Sequence, residues 1–284
     1  MRPVLVSLVL ATAAGCGAAA VEHNAAKAST RLDLAKDFLR KHQLEAAHAE
    51  SNRSLKLNPS NEEALNVRGL VSVVEAIDAQ RTLEIDSCLT GVDAEATRGE
   101  LEKFLMKADK DFGKATELNP EYGEAWSNRG VVRMLLEDHG SAEKFFLHAL
   151  ENPMRLDSPG LTRSHLGWAL FQNKLPEAAK ELRQAMQFQP KMCVATYRLA
   201  RVYFAREEWE KAAELFQTVS DDPSCGSQEA AFYLMKTRLL QGLVYDARHA
   251  RDACLKISPR SCIAAKCRAD GGALGGATHI GAHP

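Results

Sequence analysis

Hydrophobic positions recur along this chain with a helical period, and the period is interrupted at regular intervals. The stretch 119–153 shows the unit. Trp126, Arg129 and Gly130 fall on one face of a first predicted helix, and Ala142, Phe146 and Ala149 on one face of a second. His139 and Gly140 lie between the two helices, and Pro120 and Pro153 close the ends. Spacings of three and four residues gather side chains into one helical stripe. The glycine and the alanines are small where two helices approach closely, and the aromatic rings fill the space beside them. One such pair cannot bury its own apolar face, so further copies are expected to stack on both sides.

The copies are present. The first carries Leu34, Ala35, Phe38, Ala47 and Pro59; the second opens with Leu65, Arg68 and Gly69 and closes with Ala108, Phe112, Ala115 and Pro120. The fourth has Gly167, Ala178, Leu182, Ala185 and Pro190, and the fifth Thr196, Leu199, Ala200, Tyr203, Ala212, Phe216 and Pro223. The sixth has Leu234, Ala247, Cys254 and Pro259. A large residue, a small one, then alanine and an aromatic, with proline at the seam, resembles the tetratricopeptide signature. Strand signals are nearly absent. The expectation is an all-α protein, a right-handed tetratricopeptide superhelix of six helix–turn–helix repeats over 28–261.

Three departures punctuate the array. Gly69 to Ala108 spans 39 residues where Gly130 to Ala142 spans 12, so the second repeat carries 27 extra residues. These are rich in helix formers and predict two lengthened helices projecting as a hairpin over about 76–102, with its turn at 88–93; a disordered loop is the competing reading. A longer loop is expected at 153–160. Beyond Pro259, a capping helix within 260–270 would cover the apolar face the last repeat leaves open, so 262–284 is read as a capping segment followed by a disordered Gly-rich tail.

The first fifteen residues differ from the rest. Arg2 precedes a short apolar run, Val4 to Ala14, too short to span a bilayer. Small residues then lead to Cys16, which resembles the lipobox of bacterial lipoproteins. On that resemblance 1–15 is a signal peptide, Cys16 takes diacylglycerol and an acyl chain, and 16–27 is a lipidated tether. An ordinary cleaved signal with an incidental cysteine is the alternative. Gly17, not aspartate, follows the cysteine, which by resemblance to enterobacterial sorting favours the outer membrane. An exported chain favours disulfides among the six remaining cysteines. Cys193 and Cys225 sit at equivalent turns and are the first expected pair. Cys254, Cys262 and Cys267 cluster at the last helix, where one pair is expected to staple the cap. A zinc site from these thiols with His249 lacks any C-x-x-C pair, and His279 and His283 in the tail are read as incidental, so no metal is expected.

With 284 residues, 45% of them hydrophobic, the chain has ample core, and a net charge of −1 implies no bulk attraction to nucleic acid. No G-x-S-x-G, H-E-x-x-H or P-loop motif occurs. The reading is therefore a non-enzyme with no cofactor beyond the lipid on Cys16, no small-molecule substrate and no nucleic acid partner. In a tetratricopeptide superhelix the first helix of each pair lines the concave groove. The resemblance assigns there Leu70, Val131, Met134, Trp168, Phe171, Tyr197, Phe204 and Phe232, along with Arg201 and Lys236. So apolar a stripe implies a hydrophobic partner segment; the competing reading packs several of these side chains between adjacent helices.

A lipobox followed by six such repeats is similar to the pilotin family of type IV pilus biogenesis, the PilF, PilW and Tgl lipoproteins. Asn119 and Pro120 leading to Trp126, Ser127, Asn128, Arg129 and Gly130 resemble the family's third repeat, and Ala149, Leu150, Glu151, Asn152 and Pro153 its next junction. The Ala-Gly-Cys signal end and the second-repeat insertion resemble the myxobacterial Tgl type. The resemblance implies an outer-membrane lipoprotein on the periplasmic side that binds secretin protomers of the pilus machine and promotes their insertion and multimerisation. The alternative is a periplasmic lipoprotein scaffold for peptidoglycan enzymes.

Overall fold

The computed structural model describes residues 14–271, with side chains from residue 23 onward. The fold is built from thirteen α-helices among the described residues. They pair as α1 (Ala14–Arg40) with α2 (Leu44–Leu57), α3 (Glu62–Arg81) with α4 (Gly91–Leu118), and α5 (Gly123–Leu135) with α6 (His139–Glu151). The array continues as α7 (Pro159–Gln172) with α8 (Ala178–Phe188), α9 (Cys193–Ala205) with α10 (Trp209–Asp221), and α11 (Gln228–Leu240) with α12 (Val244–Ile257), closed by α13 (Cys262–Asp270). Each helix packs on the next. The odd-numbered helices also touch one another directly, α1 to α3 and onward to α11, whereas contact between even-numbered helices is sparse. One layer is thus more tightly drawn together than the other, which curves the stack and puts the odd helices on its concave side.

The turns follow one rule. His42, Glu137, Lys174, Glu207 and Gly242 adopt left-handed backbone, φ 56°, 60°, 58°, 60° and 75°. Each donates its N–H three residues back, and the following residue donates five residues back, as Glu137 N–H does to Met134 O and Asp138 N–H to Arg133 O. This Schellman arrangement uses up the last carbonyls of the first helix and starts the second at once. Asp138 caps α6 by accepting from the Ser141 N–H at 3.1 Å, an N-cap bond to an orphan amide. The second repeat alone lacks the tight turn. There α3 runs into a π-helical turn at Thr82–Asp86, and α4 begins at Gly91, itself left-handed at φ +66°.

The small residues sit where the sequence pattern requires. A Cβ at Gly69 would lie 2.6 Å from the Phe112 ring, one at Gly130 2.6 Å from Phe146, and one at Gly167 2.7 Å from Leu182. Phe112, Phe146, Leu182 and Phe216 are fully buried at equivalent places in α4, α6, α8 and α10. In α12 that place, four residues after Ala247, holds Arg251 instead, and the buried Cys254 one turn on, at the place of Ala149, is tied by a disulfide to Cys267 of α13.

Two features differ from the sequence reading. The segment expected as a tether, 16–27, is the start of α1, because its alanine-rich composition favours helix and no breaker interrupts it before Arg40. The expected hairpin forms, with lengthened α3 and α4, but its tip docks on the far end of the array. The Cys88 N–H donates to Arg260 O at 3.1 Å, Ser258 Oγ donates to Ile85 O at 2.8 Å, and Cys88 is bonded to Cys262 across 174 residues of sequence. The Gly-rich tail, 272–284, lies outside the described residues, as does the signal segment up to residue 13.

Candidate protein-binding groove

The concave wall divides into two parts. On α3 and α5 the expected lining residues are mostly taken by the seams. Leu70, Val131 and Met134 are half-buried against the clusters around Phe112 and Phe146. On α7, α9 and α11 the wall is aromatic and cationic. Trp168 and Phe171 lie ring to ring at 5.2 Å. Tyr197 meets Tyr233 edge-on at 6.4 Å. The Arg201 guanidinium sits 3.9 Å over the Tyr233 ring and 5.5 Å from Trp168, and it donates to the Tyr197 hydroxyl at 3.0 Å. Phe232 is buried beneath Lys236, which lies 5.5 Å from its ring and 3.8 Å from Asp270 of the cap.

Phe204 is placed differently from its counterpart Phe171. It packs at 5.3 Å against both Trp209 and Tyr233 and at 6.4 Å against Phe216. The rings of Trp209 on α10 and Tyr233 on α11 enclose it, so it belongs to the α9–α11 seam rather than to an open wall.

Electrostatics follow from burial. Arg198, one turn before Arg201, is only 8% exposed and has no carboxylate within ion-pairing distance among the described residues. Its hydrogen bonds run from Nη1 to Ser164 Oγ and His165 Nδ1, both at 3.1 Å. Desolvation pushes its pKa down to about 10. His165 stacks on Phe146 at 5.5 Å. It shows part of its surface yet is packed deep in the seam, and burial, then the charge of Arg198, hold its pKa well below the usual imidazole value. Burial raises the Tyr197 hydroxyl.

One end of the wall is bounded by the hairpin. Its tip, the start of α11 and the cap enclose a cavity of about 740 Å³. Ile77, Ile85, Ile257 and Ile263 give this cavity apolar sides, and Glu84, Glu229 and Lys266 its polar ones. The carboxyl of Glu229 is raised by desolvation, then lowered by Arg201, which ties this cavity electrostatically to the aromatic wall.

The cysteines pair as Cys193–Cys225, Cys254–Cys267 and Cys88–Cys262. The last pairing was not expected; no local pattern marks a bond between the second repeat and the cap. Cys193, Cys225 and Asp222 gather within ligand distance of one another, but the bonded sulfurs are not available as thiolates. Cys16 lies in the first turn of α1, and its side chain is outside the described residues. Among the described residues no helix is long and apolar enough to cross a membrane.

Residues 169–223 match the tetratricopeptide repeat family model, and the six stacked pairs extend the same geometry on either side. The fold is a tetratricopeptide superhelix. Solved structures similar to it include PilW, described as a widely conserved type IV pilus biogenesis factor, with a TM-score of 0.67 and 18% identity over 84% of this chain and 97% of that one. PilF of Pseudomonas aeruginosa aligns with a TM-score of 0.65 and 13% identity over 87% of this chain and 99% of that one. The anaphase-promoting-complex hetero-tetramer Cut9–Hcn1 aligns equally well in shape, 0.67 at 15% identity, over 89% of this chain but only 43% of its own. At these identities the likeness is one of fold. No curated protein sequence matches the chain.

Proposed function

We propose that this tetratricopeptide protein is a pilotin of type IV pilus biogenesis, a Tgl-type lipoprotein anchored to the periplasmic face of the outer membrane through diacylglycerol and an acyl chain on Cys16. It binds outer-membrane secretin protomers and promotes their insertion and assembly into a ring. The observation that carries the reading is the aromatic wall of Trp168, Phe171, Tyr197 and Tyr233 on the concave side, in a fold that spans nearly the whole length of PilW and PilF. Secretin protomers expose apolar, unpaired strand surface before ring closure, an aggregation hazard, and an aromatic trough is suited to cover such a segment. An anchor raises the local concentration of that trough at the membrane. Residues 16–27 are helical, so at about 1.5 Å per residue they would hold the first repeat roughly 18 Å from the lipid on a stiff stalk.

The test replaces Trp168 and Phe171 with glutamate and follows heat-resistant secretin multimers in whole cells. Phe204 is avoided because it packs against Phe216 and Tyr233 in the seam, where a charge would disturb the fold. Loss of multimers with unchanged helical content is the expected result; normal multimers would refute the reading. A pull-down from detergent-solubilised membranes that recovers peptidoglycan synthases and no secretin would favour the scaffold instead.

A further inference from the structure

Most arginines that this chain partly buries in its seams face an acid. Arg68 is paired with Asp111 at 2.6 Å, Arg133 with Asp109 at 2.5 Å, Arg129 with Asp109 at 3.2 Å, and Arg163 with Glu181 at 2.8 Å. Arg238 turns back on Gln241 of its own turn. On α9 the rule fails twice within four residues. Arg198 is more deeply buried than any of these, and neither it nor Arg201 has a carboxylate within 4.0 Å among the described residues. Both guanidinium groups flank one indole, 5.7 and 5.5 Å from the Trp168 ring. A buried charge without a counter-ion is costly, and a guanidinium fork is shaped for the two oxygens of a carboxylate.

We propose that Arg198 and Arg201, with Trp168 between them and Tyr197 and Tyr233 at the side, form a receptor for a carboxylate carried by a partner's polypeptide segment. Arg201 supplies the accessible fork, the rings take the apolar neighbours of the acid, and Arg198 adds positive potential from below. Glu229 is the acid nearest in effect to Arg201 but forms no ion pair with it, so although Nη1 donates to the Tyr197 hydroxyl, no carboxylate among the described residues takes the fork. A polyanion such as nucleic acid is a poor fit, because the site offers two cations on a chain of net charge −1. The inference names the chemistry of the segment that the proposed wall takes and so rests on that wall being partner-binding.

Three capped peptides labelled with fluorescein separate the outcomes: Phe-Glu-Phe with an amidated end, Phe-Gln-Phe amidated, and Phe-Gln-Phe with a free terminal carboxylate. Binding is read by anisotropy at low salt to the mature protein. The expected result is about tenfold or more tighter binding of one acid-bearing peptide than of the Gln amide. Preference for the Glu peptide assigns an internal acidic side chain, and preference for the free acid a chain terminus. Arg201→Gln, folded by circular dichroism, should abolish the discrimination between acid-bearing and Gln amide peptides, and Arg201→Lys should restore part of it. Equal binding of all three peptides, or discrimination that survives Arg201→Gln, would overturn the proposal. The peptide assay contains no secretin, so a positive result with normal secretin assembly in an Arg201→Gln strain would sink the pilotin reading and leave the receptor standing.

Discussion

Replacing Gly130 with alanine tests the closest approach in the repeat. The new methyl would stand 2.6, 2.7 and 3.0 Å from three carbons of the Phe146 ring, where ordinary contact is about 3.5–4.0 Å. The ring cannot swing away cheaply, because it is fully buried and stacked on His165 at 5.5 Å. Either α5 and α6 separate by most of an ångström or the ring leaves its rotamer, an overpacking cost of about 1–3 kcal/mol, possible relief from better helix propensity being only about 0.5–1 kcal/mol. The net loss is of order 1–2 kcal/mol, and at about 2–4 °C per kcal/mol for a chain of this size the melting temperature should fall by roughly 2–8 °C. Gly99, on the exposed face of α4, has nothing within 4 Å of its would-be Cβ. Gly99→Ala should therefore raise the melting temperature by a degree or more through propensity alone. In a Phe146→Ala background the methyl at 130 enters vacated space, and its cost should vanish. Thermal and urea unfolding followed by circular dichroism would measure all four proteins. A Gly130→Ala protein as stable as Gly99→Ala would refute the close-packing account of the repeat.

Cys88→Ser removes the bond between hairpin and cap; chain entropy alone puts that closure at about 5 kcal/mol, and measured disulfides more often give about 2–4 kcal/mol. Its melting temperature should drop relative to the parent in oxidising buffer, and the two should converge in reductant. His165 is held neutral in the fold while the unfolded chain takes up a proton near pH 6.5, so stability present above that pH should fall by about 1.4 kcal/mol per unit as pH drops below it. His165→Gln should flatten that slope in urea midpoints measured from pH 7 to 5, and an unchanged slope would exclude His165 as its source. Asp109 accepts from both Arg129 and Arg133, so Asp109→Ala leaves Arg129 without a carboxylate and Arg133 with Asp138 alone at 3.5 Å, and should cost about 2 kcal/mol in urea unfolding after allowing for their partial exposure.

The fold was legible in the sequence because its determinants are local. The glycine-to-ring spacing of Gly130 and Phe146, the seam prolines and the alanines each act within one helix pair and recur from pair to pair. The concave wall was legible only in part, since register decides which face a residue occupies but not what stands opposite. Phe171 and Phe204 hold the same register and are both half-buried, and the neighbours Trp209 and Tyr233 draw Phe204 alone into a cluster of rings. Arg198 carried no signal, because its lack of an acid is a property of the α7–α9 seam. Tyr233, which Arg201 stacks on, lies one residue from the assigned Phe232 and was overlooked for that reason. The helical form of the expected tether, 16–27, follows from an alanine-rich run without a breaker, which favours helix over a flexible linker. The Cys88–Cys262 pairing joins the second repeat to the cap beyond the sixth, and cysteine spacing holds no trace of such a match.

Linear repeat arrays ordinarily come apart from their termini, because a terminal unit has a neighbour on one side only. Here the terminal helix is riveted to the second unit, so everything from residue 88 to residue 262 lies within one covalent hoop. Peeling from the carboxyl end is thereby blocked, and loosening should begin at α1 and α2, the pair outside the hoop. Under reducing conditions the rivet is absent, so the array is then an open strip, and oxidation locks it into a closed band.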